Sequence, residues 1–264
     1  MGDAIPNKAR QTMADTLTVE LRAYILTGAV QPGQPLREET LGARFGCGRG
    51  PVREALSRLA ERGFLVKQPF SGYAMRDLRV TDIRSYYKVR ESIELLAIRS
   101  CWPLRDRSFQ SNLRRLHGRL VAAVEAGEAI RSVDAEADFH AAVYVASGNE
   151  PLLRCWELLA CYRDLYYVTL NRLRQDGRFL PAPMSASHQR LLDVLIGDSL
   201  EAALQATVEH LTMGLEQFER AHEEYTDRID QLRWSHDPPG RSQGNGHVAR
   251  RGGKRGADAG SRGS

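Results

Sequence analysis

The chain has 264 residues, 42% of them hydrophobic, with 37 Lys/Arg against 33 Asp/Glu, a net charge of +4 and a pI near 9.0. That is enough for two ordinary domains with a core each, and no apolar run is long enough to cross a bilayer, which excludes a helical membrane protein. The four cysteines form no CxxC pair and the first residues show no apolar signal segment, so the thiols read as reduced and the protein as cytoplasmic, with no membrane partner.

The positive charge is unevenly placed. From Ser235 onward six Arg/Lys face two Asp, residues 1–75 carry ten basic and seven acidic side chains, and residues 76–234 carry 21 basic and 24 acidic. A mildly basic N-terminal unit precedes a mildly acidic larger one.

Residues 1–11 are polar and expected to be flexible. Leu17, Leu21, Tyr24 and Ile25 recur at helical spacing before Gly28, and Gln31-Pro32-Gly33-Gln34-Pro35 reads as a turn feeding Leu36. Glu38 to Phe45 reads as a short helix stopped by Gly46. A second helix follows, with Pro51 suited to its first helical position, Val52, Ala55, Leu56 and Leu59 on one face, and Gly63 as its stop. Two short helices joined by a Gly-containing turn form the helix-turn-helix pattern. Arg49 and Arg53, with Ser57, occupy the opposite face near an N-terminus whose N–H groups point outward, an arrangement suited to a polyanion. Phe64 to Lys67 and Tyr73 to Met75 read as a hairpin, or wing, around Gly72.

The run Gly-x-x-x-Pro-Gly-x-x-Leu, then Phe-Gly-x-x-Arg-x-Pro-Val-Arg-Glu-Ala-Leu-x-x-Leu-x-x-x-Gly, resembles the winged-helix domain of GntR-family bacterial transcriptional regulators. The resemblance covers about the first 75 residues. It implies that Arg49 and Arg53 contact base edges and phosphates of a double-stranded operator, a task for which the planar guanidinium fork is suited. Gly50 and Ser57 would lie beside them, with Lys67 and Gly72 along the backbone or minor groove. The family usually carries Ser and Thr flanking the first arginine, where this chain has Gly48 and Gly50; two hydroxyl contacts are lost and a different operator is implied.

Residues 77–234 are helical in pattern throughout, near 81–101, 107–126, 131–147, 150–174, 184–197 and 199–226, with breaks at Pro103, Gly127, Gly148, Gly177 to Pro183 and Gly197. About six helices with short connections predict an antiparallel bundle. Residues 235–264 are rich in Gly, Arg and Ser with few apolar residues, and read as a disordered basic tail. The predicted fold is therefore mainly α: a flexible start (1–11), a winged helix-turn-helix (12–76), an all-α antiparallel bundle serving as effector domain (77–234) and the tail.

Polar residues on apolar stripes are the informative ones in the bundle, because burial requires partners. Arg90 sits in the stripe of Ile83, Tyr86, Ile93 and Ala97. Glu136 and His140 are i, i+4 on one face; His188 precedes Leu191, Leu192 and Leu195; His210 lies with Ala203, Ala206 and Met213. Three histidines and a carboxylate from three helices suit a first-row metal, although any one such histidine is commonly a hydrogen-bonded core residue. His117, among Arg114, Arg115 and Arg119, reads as a surface residue. Tyr162, Tyr166 and Tyr167 read as core or dimer seam.

The order Phe-His, Gly-Asn-x-x-Leu, Ser-His-x-x-Leu-Leu-x-x-Leu, Gly-Asp and His-Leu is similar to the FadR-type C-terminal (FCD) domain of this family. The resemblance implies a divalent metal (zinc, with nickel or manganese as alternatives) on Glu136, His140, His188 and His210, with Glu136 standing where the family has Asp and Asp138 as the fallback carboxylate. It also implies a small organic-acid effector held by Arg90, with Asn149 either bordering that pocket or capping a helix. No nucleophile–base pair or phosphate-binding glycine loop is visible, so no enzyme is expected. The expectation is a homodimeric, ligand-responsive regulator, in the family's usual mode a repressor. The alternatives are a metal-dependent enzyme on the bundle and an architectural DNA-binding protein driven by the tail.

Overall fold

In the computed structural model, which describes residues 12–68, 72–175 and 184–236, the first helix α1 (Met13–Leu26) begins at a reciprocal cap. The Thr12 hydroxyl accepts from the Asp15 N–H while the Asp15 carboxylate accepts from the Thr12 N–H. The expected flexible start, the Gly177 to Pro183 break and the tail beyond residue 236 lie outside the described residues.

Helices α2 (Glu38–Phe45) and α3 (Arg49–Glu61) form the helix-turn-helix. The turn between them needs glycine at 42. A Cβ there would stand 2.8 Å from the Cys47 carbonyl oxygen, closer than real contacts allow. The buried face of α3 is Val52, Ala55, Leu56 and Leu59, packed on Leu17, Leu21 and Ile25 of α1. Strands β2 (Leu65–Gln68) and β3 (Gly72–Met75) make the wing in antiparallel register, Lys67 opposite Tyr73. The sequence reading missed a third strand, β1 (Pro35–Leu36), which pairs with β3 on its other edge and gives the order β1-β3-β2. It is two residues long, and only pairing across some 40 positions creates it.

The bundle begins with α4 (Val80–Cys101) and continues through a 3-10 turn (Trp102–Leu104), α5 (Arg107–Glu125) and α6 (Ala129–Ala146). After these come α7 (Glu150–Leu158), α8 (Ala160–Gln175), α9 (Met184–Ile196) and α10 (Leu200–His236). The single helix expected over 150–174 is two. At Leu159 the N–H reaches Cys155 and Trp156 carbonyls at 3.3 and 3.1 Å, so the last turn tightens and the axis breaks with no Pro or Gly to announce it. Helix α10 runs ten residues past the expected 226.

Two apolar clusters fill the bundle. One joins Ile98, Leu113, Phe139, Tyr144 and Leu191; the other joins Ile83, Tyr87, Tyr166 and Phe218. The core under α3 is not confined to the first 76 residues, because Cys161, Leu165 and Val168 of α8 belong to it. Gly63, at φ +88°, fits against that helix: a Cβ there would lie 2.9 Å from the Cys161 sulfur. No helix of the described residues is long and apolar enough to cross a membrane. All four cysteines are free thiols.

Candidate functional site

The outer face of α3 carries the residues singled out for DNA. Arg49 and Arg53 are exposed, and both already have acidic partners on α2. Arg53 donates from Nε and Nη2 to the two oxygens of Glu38, each at 2.9 Å, and Arg49 Nη2 lies 3.5 Å from Glu39. The Arg53 guanidinium holds the Glu38 carboxyl below its ordinary range. Exposed pairs of this kind contribute little and are screened by salt, so both guanidiniums can exchange partners at small cost. Ser57 donates to Glu61 at 3.2 Å, and Lys67 and Gly72 lie exposed on the wing. Gly48 is the N-cap without a side-chain bond, and a Cβ at Gly48 or Gly50 meets nothing within 4 Å.

The second set lies inside the bundle. His140 and His188 bring their Nε2 atoms to 3.2 Å, and one nitrogen from each of His140, His188 and His210 lies within 4.8 Å of the others. Burial, and next the Arg90 cation, pushes the His140 pKa well below its ordinary value; burial and the neighbouring histidines do the same to His210. That favours the neutral form of His140 and His210, the form that ligates a metal. His140 Nδ1 meets Glu94 at 2.5 Å, and Glu94 in turn accepts from Arg90 Nε at 3.0 Å. A carboxylate behind one ring nitrogen fixes the tautomer and leaves the other lone pair for an ion.

Glu136 belongs to the same cluster by a different bond. Its Oε1 lies 3.3 Å from His140 Nε2 and 3.4 Å from Arg90 Nη2, while its Oε2 is buried with no hydrogen-bond partner among the described residues. Burial works to raise this carboxyl, but Arg90 and the histidines outweigh it and hold it lowered. His210 Nδ1 is orphaned in the same way. Two unsatisfied polar atoms beside three converging imidazoles call for an explanation, and a bound cation supplies one. The donor set of neutral imidazole and carboxylate fits a divalent first-row metal.

Beside the cluster opens a cavity of about 490 Å³, walled by Tyr86, Arg90, Glu136, Arg163 and His188 among others, and reached by Leu26 of α1. Arg90 and Arg163 flank the Trp156 ring, their guanidinium carbons 5.4 and 5.6 Å from its centroid. The two guanidiniums share the mostly apolar wall with one carboxylate, that of Glu136.

Five residues that the sequence left open or placed otherwise are located by the structure. Asn149 caps α7, accepting from the Leu152 N–H at 3.1 Å, and is not among the cavity's walls. Asp138 is exposed and paired with Arg119, so it does not reach the histidines. His117 is buried against Phe139 rather than on the surface, its helix turning the Arg114–Arg119 charges outward and the imidazole in. Tyr166 and Tyr167 wall the cavity rather than only a core. Sequence reasoning missed Glu94, Arg163 and Asp164. The signal available for Glu94 was its i+4 spacing from Arg90; for the other two there was none.

Two family descriptions match the chain: "Bacterial regulatory proteins, gntR family" over residues 13–74 and "FCD domain" over residues 85–213. A probable D-xylose utilization operon transcriptional repressor of Paenarthrobacter nicotinovorans is 29% identical over 76% of this chain and 87% of its own length. YdhC of Bacillus subtilis, described as an uncharacterized HTH-type transcriptional regulator, is 25% identical over 78% of this chain and 90% of its own. Among solved structures, E. coli McbR/YncC shares the fold at a TM-score of 0.65, with 21% identity over 81% of this chain and 99% of that one.

Proposed function

We propose that this chain, which belongs to the GntR family of bacterial regulatory proteins and carries an FCD domain behind its DNA-binding unit, is a cytoplasmic homodimeric repressor gated by a divalent metal and a small organic acid. The matching families and relatives are transcriptional regulators, which sets the enzyme alternative aside. The working division is 12–76 for DNA and 77–234 for effector and dimer contacts.

On the DNA side, Arg49 and Arg53 exchange Glu39 and Glu38 for phosphate and guanine acceptors, and Lys67 and the wing follow the backbone. Two-fold protein symmetry matches a pseudo-palindromic operator. In the bundle, His140, His188, His210 and Glu136 would hold the metal, zinc being the first candidate. A bound cation supplies positive charge for an acid's carboxylate. Arg90 stays charged between Glu94 and Glu136 and supplies directional donors for the same group. The tyrosines Tyr86, Tyr87, Tyr166 and Tyr167 line the remainder.

The observation that carries this reading is the convergence of His140, His188 and His210 with two orphaned buried atoms beside a cavity that also holds Arg90. Its test is the metal content of the purified, untagged chain by plasma mass spectrometry, beside a His140→Ala/His188→Ala double variant. Near-stoichiometric metal lost in the variant is expected. No metal in either protein, with zinc and manganese supplied, would remove the metal from the proposal and leave Arg90 as the only anchor.

A further inference from the structure

Helix α8 has two working faces. Cys161, Leu165 and Val168 (i, i+4, i+7) belong to the core under the recognition helix, while Arg163, Tyr166, Tyr167 and Leu170 wall the cavity. Between the faces lies Asp164, only 1% exposed. Arg163 donates to its Oδ1 from Nε and Nη2 at 3.2 and 3.0 Å, and Arg22 of α1 donates to its Oδ2 at 2.6 Å. Arg22 also reaches Asp134 of α6 at 3.0 Å. One turn further along α1, Leu26 touches the cavity itself. A buried carboxylate is stable only while paired, so any loss of Arg163 falls on Arg22.

We propose that the chain Arg163–Asp164–Arg22 transmits the occupancy of the cavity to the DNA-binding unit. The inference rests on the reading of the cavity as an anion site. An anion there competes with Asp164 for the Arg163 donors, and binds best where Asp164 is left to Arg22 alone. That competition is the differential affinity a ligand needs in order to shift an equilibrium. The shift arrives at α1, whose Leu17, Leu21 and Ile25 support Val52, Leu56 and Leu59 of the recognition helix.

The test uses the full chain, a duplex selected in vitro with the wild-type protein, and backbone hydrogen exchange. Arg163→Gln, which leaves Asp164 to Arg22 alone, and Arg22→Gln, which breaks the tie to α1, are expected to change duplex affinity in opposite directions, each by about fivefold or more. Arg22→Gln should raise exchange across residues 13–26, because α1 loses its tie to Asp164, whereas Arg163→Gln should lower it, because Asp164 is then left to Arg22 alone. The double variant should differ from wild type as Arg22→Gln does, since the two residues act in one chain. Arg163→Lys, which keeps the charge, should reverse part of the change seen in Arg163→Gln. Wild-type exchange in α1 for Arg163→Gln, or additive effects in the double variant, would overturn the relay. If Arg163→Gln does not fold, Arg22→Gln decides: unchanged exchange in both α1 and α8 would overturn it equally. Failure of the anion-site reading shows elsewhere, as melting temperatures of the zinc-loaded wild type that no carboxylate shifts while the variants behave as stated.

Discussion

Arg53 and Arg90 are both arginines held by a glutamate, and their surroundings give the two pairs opposite properties. Arg53 has a side chain 68% exposed and shares the surface with Glu38; Arg90 is 5% exposed and lies among Glu94, Glu136 and Tyr86. The first pair is screened and easily exchanged, which a DNA contact requires. The second has left water, and its charges are tolerable only as a set. The DNA-binding unit thus keeps an apolar core and exchangeable outer charges, whereas the bundle encloses a polar cluster whose members depend on one another.

The largest test of this contrast is removal of the buried cation. Arg90→Met deprives Glu94 and Glu136 of their shared cation, and should cost about 3–5 kcal/mol of stability, read as a lower urea midpoint. A loss equal to that of an exposed arginine would contradict the mutual dependence. Arg53→Ala should leave the urea midpoint unchanged but weaken binding to the selected duplex by about ten- to a hundredfold. It should also flatten the salt dependence if the contact is to phosphate.

A third test is acid. Burial keeps His140 and His210 neutral in the folded protein, well below the value of about 6.5 at which they titrate when unfolded. Below that pH the unfolded chain takes up protons the folded one refuses, so stability is present above it and lost as the pH falls. The melting temperature of metal-free protein should therefore fall between about pH 7 and 5, and less so in a His140→Ala/His210→Ala variant. The smallest effect expected is that of Gly50→Thr. Nothing within 4 Å opposes the new side chain, and its hydroxyl should tighten duplex binding a few-fold without changing the fold.

Most of the fold was legible because helical periodicity and Gly/Pro punctuation are local. Helices α2 and α5 fall within a residue of their expected limits. The break at Leu159 was not legible, since an ordinary Cys-Trp-Glu-Leu-Leu-Ala run gives no sign of it. Strand β1 exists only through its partner. In the bundle, polar residues on apolar stripes pointed to His140, His188, His210, Glu136 and Arg90, and the structure brings these five together. Glu94 escaped because a glutamate four after an arginine also describes a solvated helix pair. Arg163 and Asp164 escaped because adjacent charges in a Tyr-rich run carry no period. Their value comes from Arg22, 142 positions away.

The most direct measurement of whether the two regions work together is duplex affinity by fluorescence anisotropy, on metal-free and zinc-loaded full chain with and without small carboxylic acids. At least one condition is expected to change affinity by about fivefold or more, within the usual range of coupling between sites. The same affinity under every condition would contradict a DNA-binding unit governed by the cavity.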